Sequence, residues 1–367
     1  MSSAGYHAAR SRSEPKNEVV MRALLMSSTL LAFTGVSLAG AVPAAKPSFT
    51  VESVAIPNAP PGGLFLDYLA VDRVRGRVWV PAGGTGTTLV IEAKSGKVHS
   101  VGNFKTAEVE RRGQKRMVGP SSASVGDGFV YVGSRGDSSV CAINAASLAR
   151  AGCVTLTGSP DGVVYVAKTK EVWVTTPRDQ SIVVLDVSKP AEPKLATTFK
   201  LEGSPEGYAV DDVHGVFYTN LEDKDQTLRI DLASKKITAT WPAQCGEEGP
   251  GGLALDPSGR FLMNVCRDHV EVMDANAEGK VISKLDTGEG VDAIDYVPST
   301  RSLYAAAGRA GKLTVAHVGD DGLLTAAATI DTSQGARNAV ATDDGTAFVA
   351  DGPEGKVLVV RPARAHK

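Results

Sequence analysis

Four acidic residues lie far apart in the sequence but occupy the same place in a recurring turn: Asp67, Asp161, Glu206 and Asp292. Carboxylate oxygens are the ligands that Ca²⁺ and other hard divalent cations prefer, usually drawn from several parts of a chain. If the fold brings these four side chains together, they would form a divalent-metal site. Without a cation, crowded carboxylates repel one another, and at least one pKa must rise.

A second recurring turn carries arginine at four places, Arg135, Arg178, Arg267 and Arg309. The planar arginine fork pairs well with carboxylates. These side chains would therefore either bind a ligand beside the acids or neutralise the acids and tie neighbouring repeats together. The sequence leaves both interpretations open.

The acids and arginines belong to one sequence repeat, which is clearest over residues 203–231. A Gly- and Pro-containing turn leads into a first strand, and two further strands follow at residues 216–220 and 228–231. The copies are 45 residues apart on average. A period of roughly 40–45 residues with several short strands is typical of β-propeller blades. The register positions are Leu66, Pro120, Pro160, Pro205, Pro250, Val291 and Ala336.

The pattern predicts an all-β, seven-bladed β-propeller whose last blade is completed by the N-terminal strand. Residues 49–57 alternate like a strand but precede the first repeat, whereas the last repeat supplies only three strands, at residues 338–342, 346–350 and 356–361. Pairing the first strand with the last closes the ring and removes two exposed sheet edges. We expect residues 42–367 to form this single domain.

In such a ring, the turn that enters each innermost strand lines one mouth of the central channel. The first rim position holds Asp67, Ser121, Asp161, Glu206, Gly251, Asp292 and Arg337. The second holds Tyr68, Ser122, Gly162, Gly207, Gly252, Ala293 and Asn338. We expect Tyr68, Arg337 and Asn338 to bind a ligand together with the four turn arginines, and the four acids to be the candidate metal ligands.

Two strand motifs recur with the repeat. The second strand carries an aromatic residue in six copies: Trp79, Tyr131, Trp173, Tyr218, Tyr304 and Phe348. One third strand reads Ile182-Val183-Val184-Leu185-Asp186, and one second strand reads Tyr218-Thr219-Asn220. Over residues 49–362 these motifs resemble the YVTN-repeat (YncE-like) propellers, which implies the seven-bladed fold. The chain departs from that family's pattern at His317 and Arg361, which replace the third-strand acid.

Two of the rim turns, Ser159-Pro160-Asp161-Gly162 and Ser204-Pro205-Glu206-Gly207, resemble the Pro-Asp-Gly turns of the gluconolactonase and regucalcin propellers. That resemblance implies that the acids of both turns bind a divalent metal, with Asp67 or Asp292 completing the shell. Such a metal would polarise a lactone carbonyl and activate water. Those propellers have six blades, whereas the repeats of this chain predict seven.

The first 41 residues are interpreted as an N-terminal extension followed by a secretory signal peptide, with cleavage after Ala41. Met21-Arg22 gives a positive start, a moderately apolar run follows, and small residues end it. A membrane anchor is the alternative, but the run contains several Ser and Thr residues and is short for a span. Met21 is also an alternative to Met1 as the start. We predict a secreted or periplasmic protein with no membrane span after cleavage.

The charge of the chain argues against a nucleic-acid partner. Removing residues 1–41 takes away four basic and two acidic residues, so the formal net charge goes from −2 to −4. A mildly acidic surface has no field that would attract nucleic acid. We expect a monomer that binds a small molecule or a protein at the channel mouth.

Four cysteines suit the oxidising surroundings of an exported protein. Cys141 and Cys153 fall on neighbouring strands of the second repeat, and Cys245 and Cys266 map to the same face of the fifth. We predict the pairs Cys141–Cys153 and Cys245–Cys266, with buried free thiols as the alternative. The sequence has no Cys-x-x-Cys motif or Cys/His cluster that would indicate zinc.

The longest insertion spans residues 105–116 and mixes five basic residues with Glu108 and Glu110. We predict a loop between the first and second blades, on the face where the repeats begin. It would fold over the opening as a lid or dock an anionic partner. The alternative is a charged excursion that faces solvent.

Two functions follow from the rim residues. In the first, the exported propeller binds a ligand or partner over its charged rim without catalysis. In the second, the rim acids hold Ca²⁺ or another divalent cation, and the chain hydrolyses a lactone or similar ester. No Ser-His-Asp set can be assembled from the repeat positions, so the sequence identifies no catalytic residues.

Overall fold

The computed structural model describes residues 48–111 and 113–363. The predicted extension and signal peptide, with both candidate start sites, lie outside that part and stay predictions. Within it, no helix is long and apolar enough to cross a membrane. All the described residues belong to one compact unit.

The unit is built almost entirely from short antiparallel strands, joined by tight turns. The first half contains β1 (Phe49–Ala55), β2 (Ala70–Asp72), β3 (Arg77–Pro81), β4 (Thr88–Glu92), β5 (Val98–Val101), β6 (Ala107–Arg111), β7 (Gln114–Val118), β8 (Pro120–Gly126), β9 (Phe129–Ser134), β10 (Ser139–Asn144), β11 (Arg150–Thr155), β12 (Val163–Val166), β13 (Glu171–Thr176), β14 (Ser181–Asp186) and β15 (Lys194–Lys200). The second half contains β16 (Pro205–Asp211), β17 (Val216–Leu221), β18 (Gln226–Asp231), β19 (Ile237–Pro242), β20 (Leu253–Leu255), β21 (Phe261–Val265), β22 (His269–Asp274), β23 (Lys280–Asp286), β24 (Ile294–Val297), β25 (Ser302–Ala307), β26 (Lys312–Val318), β27 (Leu324–Asp331), β28 (Ala336–Ala341), β29 (Ala347–Asp351) and β30 (Lys356–Pro362). Short 3-10 turns lie at Gly83–Thr85, Pro177–Asp179 and Ala275–Ala277.

Seven four-stranded sheets form the blades of the ring. The innermost strands β2, β8, β12, β16, β20, β24 and β28 come in chain order, and each blade contacts the next, including β28 against β2. The seven-bladed β-propeller predicted from the repeat period is therefore confirmed.

The ring is closed by the N-terminal strand, as predicted. β1 pairs with β30 in antiparallel register, from Phe49 opposite Pro362 to Ala55 opposite Lys356. β1 thus becomes the outer strand of the blade that contains β28, β29 and β30. The pairing joins the two ends of the propeller, because the last repeat has only three strands of its own.

The hydrophobic core lies between blades rather than inside any one of them. The second-strand aromatic residues are all buried at the blade interfaces, as their recurrence predicts. Trp173 on β13 is the clearest case, with its ring 4.7 Å from Phe217 of the next blade and 5.6 Å from Phe199. Its indole Nε1 donates to Glu171 at 3.0 Å, so the polar edge of the ring is satisfied. No blade can bury this surface alone, and the blades therefore stabilise one another.

We expect the Trp173→Ala variant to lose roughly 3–5 kcal/mol of unfolding free energy, because it removes the largest side chain between two blades and leaves a cavity. Urea unfolding followed by circular dichroism measures the change. Val74→Ala is the matched control, since Val74 is 90% exposed and fills no core. A loss below about 1 kcal/mol for Trp173→Ala would mean that the interface repacks around the missing ring.

Both predicted disulfides are present. Cys141 and Cys153 stand directly opposite each other on β10 and β11, and Cys245 is bonded to Cys266. The described residues include no free cysteine. Each bond closes a short loop, of 12 and 21 residues in sequence separation, which is why position in the repeat sufficed to pair the cysteines.

The charged segment 105–116 is not the irregular loop that its composition predicts. Strands β6 and β7 form a two-stranded hairpin, with Ala107 opposite Val118. Lys115 and Glu108 form an exposed ion pair at 2.8 Å on this hairpin. The base of the hairpin lies against the 3-10 turn that contains Gly84, where an added Cβ would come within 2.7 Å of Met117. Ala107 and Val109 alternate with Glu108 and Glu110, which is the pattern of a strand. The high charge of the segment led to the prediction of a loop instead.

Candidate functional site

The rim of the central channel is narrow where the innermost strands begin. Tyr68 N donates to Ser121 O at 3.1 Å, which joins the first two blades through their backbones. Gly252 N donates to Asp292 O at 2.7 Å and joins the fifth and sixth blades in the same way. Because the strands converge here, the side chains of the rim positions are forced into one small space. The charged rim is defined here as Asp67, Tyr68, Arg135, Asp161, Glu206, Arg267, Asp292 and Arg337.

Arg135 is the central cation of the charged rim. Its Nη2 donates to Asp67 Oδ2 at 2.8 Å and also to Asp161 Oδ1. Its Nε donates to the carbonyl of Pro160 at 3.2 Å. The side chain is only 16% exposed, so the contacts are largely shielded from water. One guanidinium thus ties the first, second and third blades together.

Asp292 forms a second charged group on the opposite part of the ring. Its two carboxylate oxygens pair with different arginines, Arg267 Nη1 at 3.2 Å and Arg337 Nη1 at 3.1 Å. The Phe65 ring lies close to Arg337, 5.5 Å from its guanidinium, and also 4.8 Å from that of Arg135. Cation–π contacts with one ring therefore link the two arginine groups.

Tyr68 crosses the channel from the first blade to the fourth. Its hydroxyl donates to Glu206 Oε1 at 3.0 Å and accepts from the backbone N–H of Gly207 at 3.2 Å. The Tyr68 ring stacks on Tyr208 with centroids 5.6 Å apart. These contacts join blades that are not neighbours, so the tyrosine closes part of the channel at the rim.

Asn338 is held at the rim by its backbone as well as by its side chain. It lies in the left-handed region, with φ of 63°, where the register of β28 shifts against β29. Gly207 has the same conformation at the equivalent shift in the fourth blade, with φ of 67°. Asparagine tolerates this conformation better than most residues. Its amide donates to Asp67 Oδ1 at 3.3 Å and accepts from Ala293 N at 3.0 Å.

Burial and mutual repulsion perturb the rim acids. Burial, with further contributions from Asp161 and Asp292, raises the pKa of Asp67 to about 7 despite the opposing effect of Arg135. Burial and then the same neighbouring acids raise the pKa of Glu206 well above its ordinary value. Four acids share the rim with three arginines, and a proton retained by one acid brings the cluster close to neutrality. The rise in pKa that crowded carboxylates predict is therefore present in Asp67 and Glu206.

The raised pKa of Asp67 makes a prediction for stability. The folded-state pKa of about 7 lies above the ordinary 3.8, so the folded protein binds the proton more tightly and stability falls as pH rises between those values. We expect Asp67→Asn to raise the unfolding free energy at pH 8 by about 1–3 kcal/mol and to change it little at pH 4.5. Urea unfolding at both pH values measures the difference.

An exposed acid gives the control for this comparison. Asp320→Asn removes a carboxylate that is 96% exposed, and it should leave the pH dependence unchanged. If Asp67→Asn destabilises the protein equally at both pH values, the hydrogen bonds of Asp67 outweigh the cost of its buried charge.

Two of the predicted arginines lie apart from the cluster. Arg309 is 60% exposed and pairs with Glu248 at 3.4 Å. Arg178 is exposed on the 3-10 turn Pro177–Asp179, and within the described ranges no ion pair links it to a rim acid. The four arginines therefore fall into two groups, because only Arg135 and Arg267 form ion pairs with the rim acids Asp67, Asp161 and Asp292.

Several rim residues were not found from the sequence. Phe65 and Tyr208 contribute rings to the cluster, and Glu222 and Glu248 pair with Arg267 at 3.5 and 3.9 Å. Phe65 lies two residues before the rim residue Asp67, and Tyr208 lies directly after the rim residue Gly207. This closeness in sequence was the only indication that they belong to the rim. Glu222 lies in the fourth blade's copy of the turn that carries arginine elsewhere, directly after β17, and Glu248 lies in the turn before β20.

The rim oxygens are mostly engaged by protein donors. Asp67 and Asp292 each use both carboxylate oxygens, whereas Asp161 Oδ2 is buried with no hydrogen-bond partner in the described part of the chain. The Oγ atoms of Ser121 and Ser122 are also buried and unpartnered. Among the described residues, the only His, Cys, Asp or Glu ligand atoms that cluster in a group of three within 4.8 Å belong to Cys245, Cys266 and Glu271, outside the rim. The metal assignment of the four acids stays a prediction.

A cavity of about 370 Å³ continues from the rim into the channel. Asp67, Tyr68 and Asn338 bound it on the rim side, and apolar residues such as Leu255 and Val340 line it farther along. Asp295 and Tyr296 also line this part of the cavity. A ligand at the rim would therefore contact charged and hydrogen-bonding groups first and a mainly apolar channel behind them.

Comparisons with known proteins define the fold and no family. No protein-family model matches the chain, and no curated protein matches it. Solved structures do match. A chain of hydrazine synthase from Kuenenia stuttgartiensis has a TM-score of 0.66 at 15% identity, covering 83% of this chain and 97% of that one. The chain is a β-propeller.

Two further structures lead to the same conclusion. A chain of a mitotic checkpoint complex has a TM-score of 0.67 at 16% identity, covering 92% of this chain and 100% of that one. Virginiamycin B lyase from Staphylococcus aureus has a TM-score of 0.66 at 14% identity, covering 86% and 100%. At such low identity the likeness establishes the β-propeller fold alone, and it does not establish membership of the YVTN-repeat propellers.

Proposed function

We propose that this chain is an exported, YVTN-like propeller that binds a small polar ligand or a protein partner at its charged rim, without catalysis. Asp161 Oδ2 carries the proposal: it is a buried carboxylate oxygen without a partner, at the channel mouth and beside Arg135. A buried acceptor left unpaired is costly, and a ligand N–H or O–H group would satisfy it. The two disulfides support export, because such bonds persist in oxidising compartments.

The charge pattern indicates what the ligand carries. Asp67 and Asp292 already accept hydrogen bonds from arginine, so the free acceptor at Asp161 favours a donor such as an ammonium or hydroxyl group. We therefore expect primary amines, amino acids and sugars to be the productive classes.

A thermal-shift screen with a library of primary amines, amino acids and monosaccharides tests the proposal. At least one compound should raise the melting temperature in a concentration-dependent way, since a ligand that binds only the folded state stabilises it. The shift should disappear in Asp161→Asn, whose amide no longer offers the charged acceptor. It should persist in Asp343→Asn, which changes an exposed acid of the ring. Equal shifts in both variants would place binding elsewhere, and the absence of any shift would count against the proposal.

The alternative is a divalent-metal hydrolase with Asp67, Asp161, Glu206 and Asp292 as ligands. The unpartnered Oδ2 of Asp161 and the turns that resemble those of lactonases favour the hydrolase. The arginine contacts of Asp67 and Asp292 favour binding without catalysis. Metal analysis of protein purified without chelator separates the two. Bound metal, with a melting temperature that falls on chelation in the wild type but not in Asp161→Ala, would support the hydrolase. Metal-free protein with unchanged melting supports binding without catalysis.

A further inference from the structure

The fifth blade contains a buried carboxylate where the other blades have no charge. Glu271 on β22 stands opposite Asn264, two residues from the pair of Met273 with Leu262, and Leu262 lies where the other second strands carry their aromatic residue. The residues at the same register of the other six blades are Thr88, Val140, Ile182, Thr227, Leu313 and Val357. Four of these are apolar and two are threonine, whereas Glu271 is a carboxylate with 0% side-chain exposure. Burying a carboxylate is costly, so the exception calls for a chemical reason.

The surroundings of Glu271 point to the disulfide beside it. Its carboxylate oxygen and the sulfurs of Cys245 and Cys266 all lie within 4.8 Å of one another. Asn264 Nδ2 donates to Glu271 Oε1 at 3.1 Å and lies 3.7 Å from Cys245 Sγ. Lys284 Nζ lies 3.1 Å from Oε2. The other disulfide differs, because Cys141 packs into an apolar cluster between the first two blades.

The two cysteines of this disulfide differ in their access to solvent. Cys266 is fully buried immediately after β21, whereas Cys245 is partly exposed in the segment that follows β19. Asp225 fixes that segment by accepting from the backbone N–H groups of Cys245 and Gly246 at 2.9 and 3.0 Å. An external thiolate would therefore approach Cys245. The sulfur that leaves the bond would then be that of Cys266, which is buried and cannot take a proton from water.

We propose that Cys245–Cys266 is a thiol–disulfide exchange site for dithiol partners, in which Glu271 carries the proton of Cys266. The assignment rests on the position of the carboxylate beside both sulfurs and on the partial exposure of Cys245, in contrast to the buried Cys266. It is independent of ligand binding at the charged rim.

The exchange is balanced as follows. The thiolate of the dithiol attacks Cys245 Sγ, the Cys245–Cys266 bond breaks, and its electron pair leaves with Cys266 Sγ. Protonated Glu271 gives its proton to that thiolate. The second thiolate of the dithiol then attacks the dithiol sulfur that is bonded to Cys245. Cys245 leaves as a thiolate and takes a proton from water. The partner ends as a disulfide, and the chain ends with two thiols. In the opposite direction, ionised Glu271 accepts the proton of Cys266 and frees its thiolate to attack.

The electrostatics of the pocket suit this role. Burial raises the pKa of Glu271, while Asn264, Lys284 and His269 oppose the rise. A carboxyl group whose pKa is raised in this way gives and takes a proton more readily at neutral pH than an ordinary carboxylate. A buried thiolate without such a neighbour would be a poor leaving group, because exchange is faster when the departing sulfur is stabilised.

Reduction kinetics of the folded protein test the proposal. Dithiothreitol is added, samples are quenched with N-ethylmaleimide, and peptide mass spectrometry follows each cysteine pair separately. At equal thiolate concentration, Glu271→Gln should slow the opening of Cys245–Cys266 about tenfold or more. Opening of Cys141–Cys153 in the same molecules should not change, which makes that bond an internal control.

The pH profile distinguishes proton transfer from a structural effect. In the wild type, the rate per thiolate should fall as Glu271 ionises, whereas in Glu271→Gln it should be flat. Lys284→Met, which keeps the carboxyl group, should retain the dependence on pH. Glu271→Leu introduces the residue of the sixth blade, Leu313, and serves if the glutamine variant folds poorly. It should be at least as stable as the wild type, and its disulfide should open as slowly as that of Glu271→Gln. A wild-type bond that stays closed, or equal rates and profiles in the wild type and both Glu271 variants, would overturn the proposal.

Discussion

Arg135→Met will lose roughly 3–5 kcal/mol of unfolding free energy at pH 8, because it leaves buried carboxylates without their counter-ion. Arg135 is the shared donor to Asp67 and Asp161, and both acids are largely shielded from solvent. At pH 5 the loss should be much smaller. The pKa of Asp67 is already about 7 in the presence of the arginine, so this acid is protonated there and needs no cation.

The sign of this effect follows from proton binding. An acid whose folded-state pKa is raised stabilises the fold below that pKa and ceases to do so as pH rises through it. Arg135 is the largest influence that lowers the pKa of Asp67. Without it that pKa should rise further, and the stability of the variant should fall more steeply between pH 5 and pH 8. Urea unfolding at several pH values in that range measures the slope.

Arg309→Met is the control, because it removes an arginine of the same turn that lies outside the charged rim. Arg309 is 60% exposed and pairs with Glu248 at 3.4 Å, so its removal should cost less than about 1 kcal/mol at either pH. An Arg135→Met penalty that is the same at pH 5 and pH 8 would show that the arginine acts through packing against Phe65 rather than through charge.

Deleting β1, residues 49–55, will lower the melting temperature by about 10 °C or more and cause self-association. β1 pairs with β30 along its whole length, from Phe49 to Ala55. Without it, the last blade keeps three strands and exposes the backbone groups of β30. An unpaired edge is a template for other chains. Size-exclusion chromatography and thermal unfolding measure both effects.

Two further samples sharpen this prediction. A chain that begins at Ser48 keeps β1 and should behave like the full-length protein. A synthetic peptide of residues 49–55 added to the deleted chain should restore the monomer, because it can add back as the missing strand. A deletion variant that remains monomeric with unchanged melting would show that the ring does not depend on this closure.

The sequence by itself determined the architecture of this protein. The 45-residue spacing placed the blades, the aromatic column identified residues such as Trp173 as interface core, and the N-terminal alternation identified β1 as the closing strand. The disulfides followed for the same reason. These features depend on strand periodicity and on order within a repeat, both of which can be read along the chain.

Only the tertiary structure decided what the rim residues contact. The sequence placed Arg135 and Arg178 in the same column, yet one lies between two acids and the other is exposed. It gave no sign that Tyr68 would reach across the channel to Glu206, in a blade that is not its neighbour. Such contacts depend on distances and angles across the ring, and residues that converge there are related neither by strand pairing nor by sequence spacing.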